Sequence, residues 1–238
     1  MQKLLAIIPA RGGSKRIPNK NIKLFNGKPL IYYTIKQALE SNFFDKVIVD
    51  TDSPEIAKIA TKYGAEAPFL RPKELAGDKA KVVDAIIHLL DRLKQEQDYE
   101  PTHIVILQTT SPLRELRDIN KCLNLMKKTD ATTVLTVCQT HPRLYYMDKK
   151  HNIILANGLE SQSTNMQEWR SAYILNGCFV YVVSVKALRA ERSIITKNTK
   201  AIICEKWCSV DLDTPEDWVL AEFLYKYKEK IHEKIKRF

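Results

Sequence analysis

Glycine is scarce in this chain, seven in 238 residues, and two of the seven are adjacent, Gly12 and Gly13. The stretch Gly12-Gly13-Ser14-Lys15 has no glycine at the distance that a P-loop demands, and no third glycine completes a dinucleotide fingerprint. P-loop ATPase and hydride-transfer chemistry therefore lose their motif support. Cysteine is equally uninformative as a framework: Cys122, Cys138, Cys178, Cys204 and Cys208 are odd in number, and the C-x-x-x-C pair at 204 and 208 has no second ligand pair. Cys138, Cys178 and Cys204 read as strand-core residues. No apolar run approaches membrane-spanning length, and residues 3–8 are too short for a secretory leader, so a reduced, cytoplasmic protein without a membrane partner is expected. Internal repeats, low-complexity segments and flexible linkers are also missing, which favours one domain over 1–238.

What the chain has in excess is positive charge, +10 formally with a pI near 9.3. Part of it lies in a tail of Lys226, Lys228, Lys230, Lys234, Lys236 and Arg237. Basic residues suit a helix C-terminus, and no aromatic stacking pattern accompanies them, so the tail reads as a solvated helix end and not a nucleic-acid arm. More informative is a loop behind the apolar run Leu4–Ile8. Arg11, Lys15, Arg16 and Lys20 place four cations within ten residues, around Gly12, Gly13 and Ser14, whose backbone N–H groups no bulky side chain shields. Such a loop suits a polyanion, most simply a triphosphate; an exposed basic turn is the plainer reading.

Apolar β-rich runs then alternate with helical patterns. Strands are expected at Leu4–Ile8, Lys46–Val49, His103–Leu107, Thr132–Cys138, Tyr173–Val183 and Ala201–Glu205. Helices are expected from Pro29 to about Ser41, after Ser53-Pro54, over 80–95 from the i, i+3, i+4, i+7 spacing of Val83, Ile86, Ile87 and Leu90, over Glu115–Lys127, and after Thr214-Pro215. This order predicts an α/β fold with a single mostly parallel sheet flanked by helices. It breaks over 140–170, a polar, aromatic and irregular stretch long enough to be functional or an interface.

In open α/β sheets ligands sit beyond the carboxyl ends of the strands. Besides the basic loop, three clusters fall there. Gln108-Thr109-Thr110-Ser111-Pro112-Leu113-Arg114 follows a strand; Gln108 offers both donor and acceptor, and Ser111 suits either function or a helix cap. Asp211-Leu212-Asp213 sets two carboxylates on one side of an extended segment, hard oxygens that suit Mg²⁺ or, more plainly, a polar turn before a helix. Asn176-Gly177 puts a glycine inside a strand pattern, the mark of a close approach or of a simple bulge. No histidine is placed as a base, since His88 lies on an expected helix and His103 begins a strand; a metal-bound hydroxide or one of the two aspartates is left for that role.

Taken in order, Pro9-Ala10-Arg11-Gly12-Gly13-Ser14-Lys15, Lys20-Asn21, Asp50-Thr51-Asp52, Arg71-Pro72, the 108–114 run, Asn176-Gly177 and Asp211-Leu212-Asp213-Thr214 resemble the CMP-N-acylneuraminate cytidylyltransferases, from residue 4 to about 225. The resemblance implies a nucleotide-diphospho-sugar transferase-like fold, Mg²⁺, CTP and an acidic nine-carbon sugar as partners, and a homodimer joined through a 140–170 excursion that reaches the neighbouring sugar site. It implies that Arg11, Gly12, Gly13, Ser14, Lys20 and Asn21 hold CTP, that Arg71 and the segment carrying Asp78 meet the cytosine, that Gln108, Asn176 and Gly177 face the sugar, and that Asp211 and Asp213 carry the metal. Arg11, Lys20, Asp211 and Asp213 are the expected catalytic set.

The chain departs from that pattern in two places. Lys79, Lys81 and Val82 stand where the family has small hydroxyl residues, which leaves base recognition to backbone groups. Ile174 stands where many sialate enzymes have arginine, and Met166 where a further arginine is expected. Arg143 and Arg170 are the remaining candidates for the sugar carboxylate. These changes point to a bacterial nonulosonate such as legionaminate or pseudaminate as readily as to N-acetylneuraminate. The alternatives are 3-deoxy-manno-octulosonate as the sugar, or a relative that binds nucleotide without turnover.

Overall fold

A computed structural model describes residues 3–156, 170–177 and 179–237. Cys178 and all of residues 157–169, Met166 among them, lie outside the described residues.

The first apolar run forms β1 (Leu4–Pro9). An Asn26-Gly27 turn, both residues at positive φ, closes a short hairpin of β2 (Leu24–Phe25) and β3 (Lys28–Pro29). Then come α1 (Leu30–Glu40), β4 (Lys46–Asp50), α2 (Pro54–Lys62), α3 (Val82–Gln97), β5 (His103–Ile106) and α4 (Leu116–Lys128). Next are β6 (Thr133–Thr140), β7 (Tyr145–Met147), β8 (Ile153–Leu155), β9 (Ala172–Leu175), β10 (Tyr181–Ser184), α5 (Val185–Glu191), β11 (Thr199–Cys204), α6 (Pro215–Lys226) and α7 (Lys228–Ile235). Their order in the main sheet is β4-β1-β5-β10-β6-β11. Along this order all neighbours are parallel except around β10, which runs antiparallel to both β5 and β6; β9 joins the same sheet, antiparallel to β6. The sheet is thus α/β and mostly parallel, flanked by helices.

Its two faces follow from strand alternation. Leu4, Ala6 and Ile8 pack with α1, α2 and α4 residues such as Ile35, Ile56 and Ile119, whereas Leu5 and Ile7 pack with Val83, Ile86, Leu90 and Leu93 of α3. The period-3.6 pattern of α3 is what makes that second face. A third core holds Ile17 of the basic loop, Phe25, Leu30, Tyr33, Leu212, Trp218 and Ala221. It pins the basic loop and the Asp211–Asp213 segment to the same apolar floor.

Local signals set several boundaries. Ser53 Oγ accepts from the Ile56 amide and Pro54 takes the first helical position of α2. Thr214 and Asp217 form a reciprocal capping box at α6. Helix α4 is capped by Glu115 with Asp118, so the capping role open to Ser111 falls to Glu115. The expected strand Tyr173–Val183 is corrected to two, β9 and β10, because Asn176 and Gly177 lie outside the ladder and the register on β6 changes between the two strands. The basic tail forms the separate exposed helix α7 after a break at Tyr227. Cys138 and Cys204 are buried, as their strand positions predict. Among the described residues, no helix is long and apolar enough to cross a membrane.

Candidate active site

Strands β1, β4, β5 and β6 all end at one sheet edge, and antiparallel β10 begins there. The basic loop leaves β1 at this edge. Ala10 N–H donates to the Asp50 carbonyl, and Gly12 N–H donates to Asp52 Oδ1 at 2.8 Å. Gly12 has little room for a side chain, since a Cβ would lie 3.3 Å from Ser53 Cβ. Asn21 is buried: its Nδ2 donates to the Arg11 carbonyl (2.9 Å) and its Oδ1 accepts from Thr109 Oγ1 (2.6 Å). The side chain of Asn21 therefore holds the loop's shape and ties it to the strand-β5 exit. Asp52 and Thr109 share that anchoring task. Both lie in motifs quoted for the resemblance, but neither motif reports this anchoring role.

The loop's cations are already spoken for. Arg11 Nη1 bonds Asp78 Oδ1 at 3.0 Å, and Lys15 Nζ bonds the other oxygen of Asp78. The Lys15 hydrogen bond and charge, then Arg11, hold the Asp78 carboxyl below its ordinary range. Gly13 faces open space and Ser14 is half-exposed. Asp78, expected beside the base, is thus brought onto the cations of the basic loop. Arg16 reaches Asp213 at 3.0 Å. Lys20 Nζ donates to the Leu212 carbonyl at 2.6 Å and lies 3.7 Å from Asp213 Oδ1. Burial lowers the Lys20 pKa, against the opposing pull of Asp213 and then Asp211.

Asp211 and Asp213 occupy different surroundings. Asp213 is exposed among Arg16 and Lys20. Asp211 is half-buried, its Oδ1 is enclosed with no hydrogen-bond partner, and burial raises its pKa, offset in part by the Thr110 hydroxyl. The Leu212 amide donates to the Thr110 carbonyl at 2.9 Å, which joins this segment to the 108–114 run. A buried carboxylate oxygen without a donor is a poor stability feature and a good ligand for a hard cation. Asp211 and Asp213 fit Mg²⁺ only with oxygens from elsewhere: among the described residues no group of three or more His, Cys, Asp and Glu could hold a metal alone.

The remaining candidates divide sharply. Gln108 is half-exposed at the edge, its Oε1 accepting from Thr110 Oγ1 at 3.3 Å. Arg114 of the same run points inward. It donates to the carbonyls of Phe179 (2.6 Å) and Gln108 (3.2 Å), to Gln37 and to Thr34, and so braces the run from behind. Arg71 is buried in an ion pair: Nε and Nη2 donate to Asp50 Oδ2 at 3.0 and 2.7 Å, and Nη2 also reaches the Asp50 carbonyl. The sequence quotes Asp50 and Arg71 but gives no sign that they pair. Asn176 is buried between Thr136 and Ser209, and Gly177 lies against Asp211. Arg143 precedes β7 and Arg170 precedes β9, both on the excursion. Ile174 sits in β9 opposite Cys138.

A basic glycine loop, a polar run and a carboxylate pair converging on one strand edge suit nucleotide phosphate chemistry, and comparison with known proteins points the same way. Residues 5–181 match the family described as cytidylyltransferase. The chain is 34% identical over 231 residues to the CMP-N,N'-diacetyllegionaminic acid synthase of Legionella pneumophila, with 96% of this chain and 98% of that protein covered. It is 34% identical over 228 residues to a pseudaminic acid cytidylyltransferase of Campylobacter jejuni, covering 94% and 97%. Among solved structures, CMP:2-keto-3-deoxy-manno-octonic acid synthetase complexed with CTP superposes with a TM-score of 0.68 at 17% identity, covering 95% and 99%, a likeness of fold alone. With three-quarters of its length matched and full-length relatives of one activity class, this chain is an enzyme of the cytidylyltransferase family.

Proposed function

We propose that the enzyme transfers the CMP moiety of CTP to a nine-carbon 2-keto acid sugar and releases pyrophosphate. The observation that carries this reading is the meeting of the loop cation Lys20 with Asp213 and the half-buried Asp211 across one strand edge. The anomeric 2-hydroxyl attacks the α-phosphorus in line and passes its proton to hydroxide or to one of the two aspartates as the new O–P bond forms, while the bond from the α-phosphorus to the bridging oxygen breaks and pyrophosphate leaves. Little covalent chemistry is required of the protein, so positioning and charge neutralisation dominate.

Arg11 and Lys15 receive the triphosphate, which displaces Asp78 as their counter-ion. Lys20, held by the Leu212 carbonyl, faces the charge that develops on the departing pyrophosphate. Asn21 and Asp52 keep the loop's amides in place. Gln108, at the open edge, faces the sugar, with Arg143 or Arg170 supplying the cation for its carboxylate. Asp211 and Asp213 would hold Mg²⁺, which when bound neutralises α-phosphate charge and lowers the pKa of the attacking hydroxyl. With arginine replaced by Ile174, and relatives named for legionaminate and pseudaminate, the sugar class is a nonulosonic acid, and those two bacterial sugars fit as readily as N-acetylneuraminate.

Pyrophosphate release with Mg²⁺, across the four NTPs and a panel of nonulosonic acids plus 3-deoxy-manno-octulosonate, tests the reading. Turnover confined to CTP and one nine-carbon sugar is expected. Turnover with the octulosonate alone would replace the substrate class, and CTP binding without turnover for any sugar would make this a non-catalytic relative.

The reading includes a homodimer of single-domain protomers. The β7–β8 hairpin and β9 display Leu144, Tyr146, Met147, Ile153, Ile154 and Tyr173, with Tyr146 70% exposed. Exposed apolar side chains in this number on a basic, polar chain support a protein interface. Sedimentation should give twice the 27.4 kDa chain mass, and Ile154→Asp should return it to one. A monomer for the unaltered chain would remove the proposal.

A further inference from the structure

The pairing along β6 contains a register slip. Strand β9 pairs Val137 with Leu175, while β10 pairs Leu135 with Tyr181, so four extra residues are taken up opposite Thr136. The Thr136 hydroxyl serves both sides of the slip: it donates to Asn176 Oδ1 at 3.0 Å and accepts from the Val180 amide at 3.2 Å. Asn176 Nδ2 in turn donates to Ser209 Oγ at 3.1 Å, and Ser209 Oγ donates to the Glu205 carbonyl at 2.8 Å. The buried Asn176 amide therefore fastens the bulge to the turn that leads, two residues later, to Asp211. Gly177 follows in the left-handed region, at φ +64°, and a Cβ there would lie 2.7 Å from Asp211 Oδ2 and 2.8 Å from Asp211 Cγ. Conformation thus favours glycine at this position, and any Cβ would have to displace the Asp211 carboxylate.

We infer that Asn176 and Gly177 are positioning residues whose bulge forms the seat of the Asp211 carboxylate. The close approach is by a carboxylate of the protein. The bulge spends four residues of ladder pairing to bring bare backbone against that carboxylate, and this fixes the rotamer in which Oδ1 stays enclosed without a donor. Ligand side chains of metal sites are held by such neighbours, and loss of one typically weakens metal affinity 10- to 100-fold. The inference rests on the proposed role of Asp211 for its metal arm alone.

The test uses Gly177→Ala and Gly177→Asn in the full chain. Asparagine tolerates the left-handed conformation but still carries a Cβ, so it separates crowding of Asp211 from backbone strain. Mn²⁺ is titrated against protein and CTP without sugar, and free Mn²⁺ is read by its paramagnetic resonance signal, with protein-free CTP as the blank. Both variants should bind Mn²⁺ about 10- to 100-fold more weakly. Melting temperatures are measured for each variant alone and combined with Asp211→Ala. Removing the carboxylate removes the crowding, so the drop caused by Gly177→Ala should shrink in that background. Mn²⁺ affinity equal to that of the unaltered protein, or melting shifts that add, would overturn the seat. Should the unaltered protein hold no Mn²⁺, the metal role of Asp211 fails, and non-additive melting would still establish the seat.

Discussion

Asp211→Ala is expected to lower kcat about 10³-fold or more with Mg²⁺ present, while the protein stays folded and still binds CTP. The size follows from the position of this carboxylate. Its Oδ1 is enclosed and has no hydrogen-bond partner, so in the resting protein it is a cost to stability and not a support. Alanine removes that cost, and melting at or above the original temperature is expected. The loop cations proposed to meet the triphosphate keep their hydrogen-bond partners in the resting protein, Arg11 and Lys15 with Asp78, and Lys20 with the Leu212 carbonyl. Turnover should fall because the charge on the α-phosphate is no longer balanced. Pyrophosphate release and a thermal melt on the same preparation check both halves, and near-original rates with Mg²⁺ would remove Asp211 from the chemistry.

Arg71→Ala is expected to destabilise the fold by about 3–5 kcal/mol, the usual cost of stranding one partner of a buried ion pair. Both side chains are almost inaccessible, and the guanidinium makes three bonds to Asp50 at the end of β4. Lysine cannot reproduce that fork, so Arg71→Lys should also lose stability. Combining Arg71→Ala with Asp50→Ala should cost less than the single changes add up to, since neither charge is then left alone. Urea unfolding of the three proteins gives the coupling directly. If Arg71 served chiefly to contact the cytosine, the single variant would keep its stability and raise KM for CTP instead. The structure favours the first outcome, because the strand end carrying Asp52, and through it Gly12, depends on this pair.

Much of the fold is legible in local chemistry. The apolar runs at Leu4, Lys46, His103 and Thr132 became strands within a residue or so, and the spacing of Val83, Ile86 and Leu90 became the buried face of α3. Ser53-Pro54 and Thr214-Pro215 started helices where their capping groups dictate. Each of these depends on near neighbours in sequence, which is why sequence could supply them. The Tyr173–Val183 stretch shows the limit. Most of its residues are good strand formers; Asn176-Gly177 marks a break or a bulge, but nothing local reports that Thr136 faces two registers at once.

The candidate site divides along the same line. By itself the sequence determined which chemistry is present: cations and glycines behind the first strand, a polar run behind a third, two carboxylates before the last helix, and their common position at strand ends. Motif order carried the family, since each motif is local and the order is a property of the chain. Only the tertiary structure decided which charges meet. Arg71 turned to Asp50, Asp78 to Arg11 and Lys15, Arg114 inward to Phe179, and Asn176 away from the edge to Thr136 and Ser209. Those partners are separated by tens of residues, and a side chain's choice between solvent, a ligand and a distant carboxylate depends on burial and geometry that exist only once the sheet has closed.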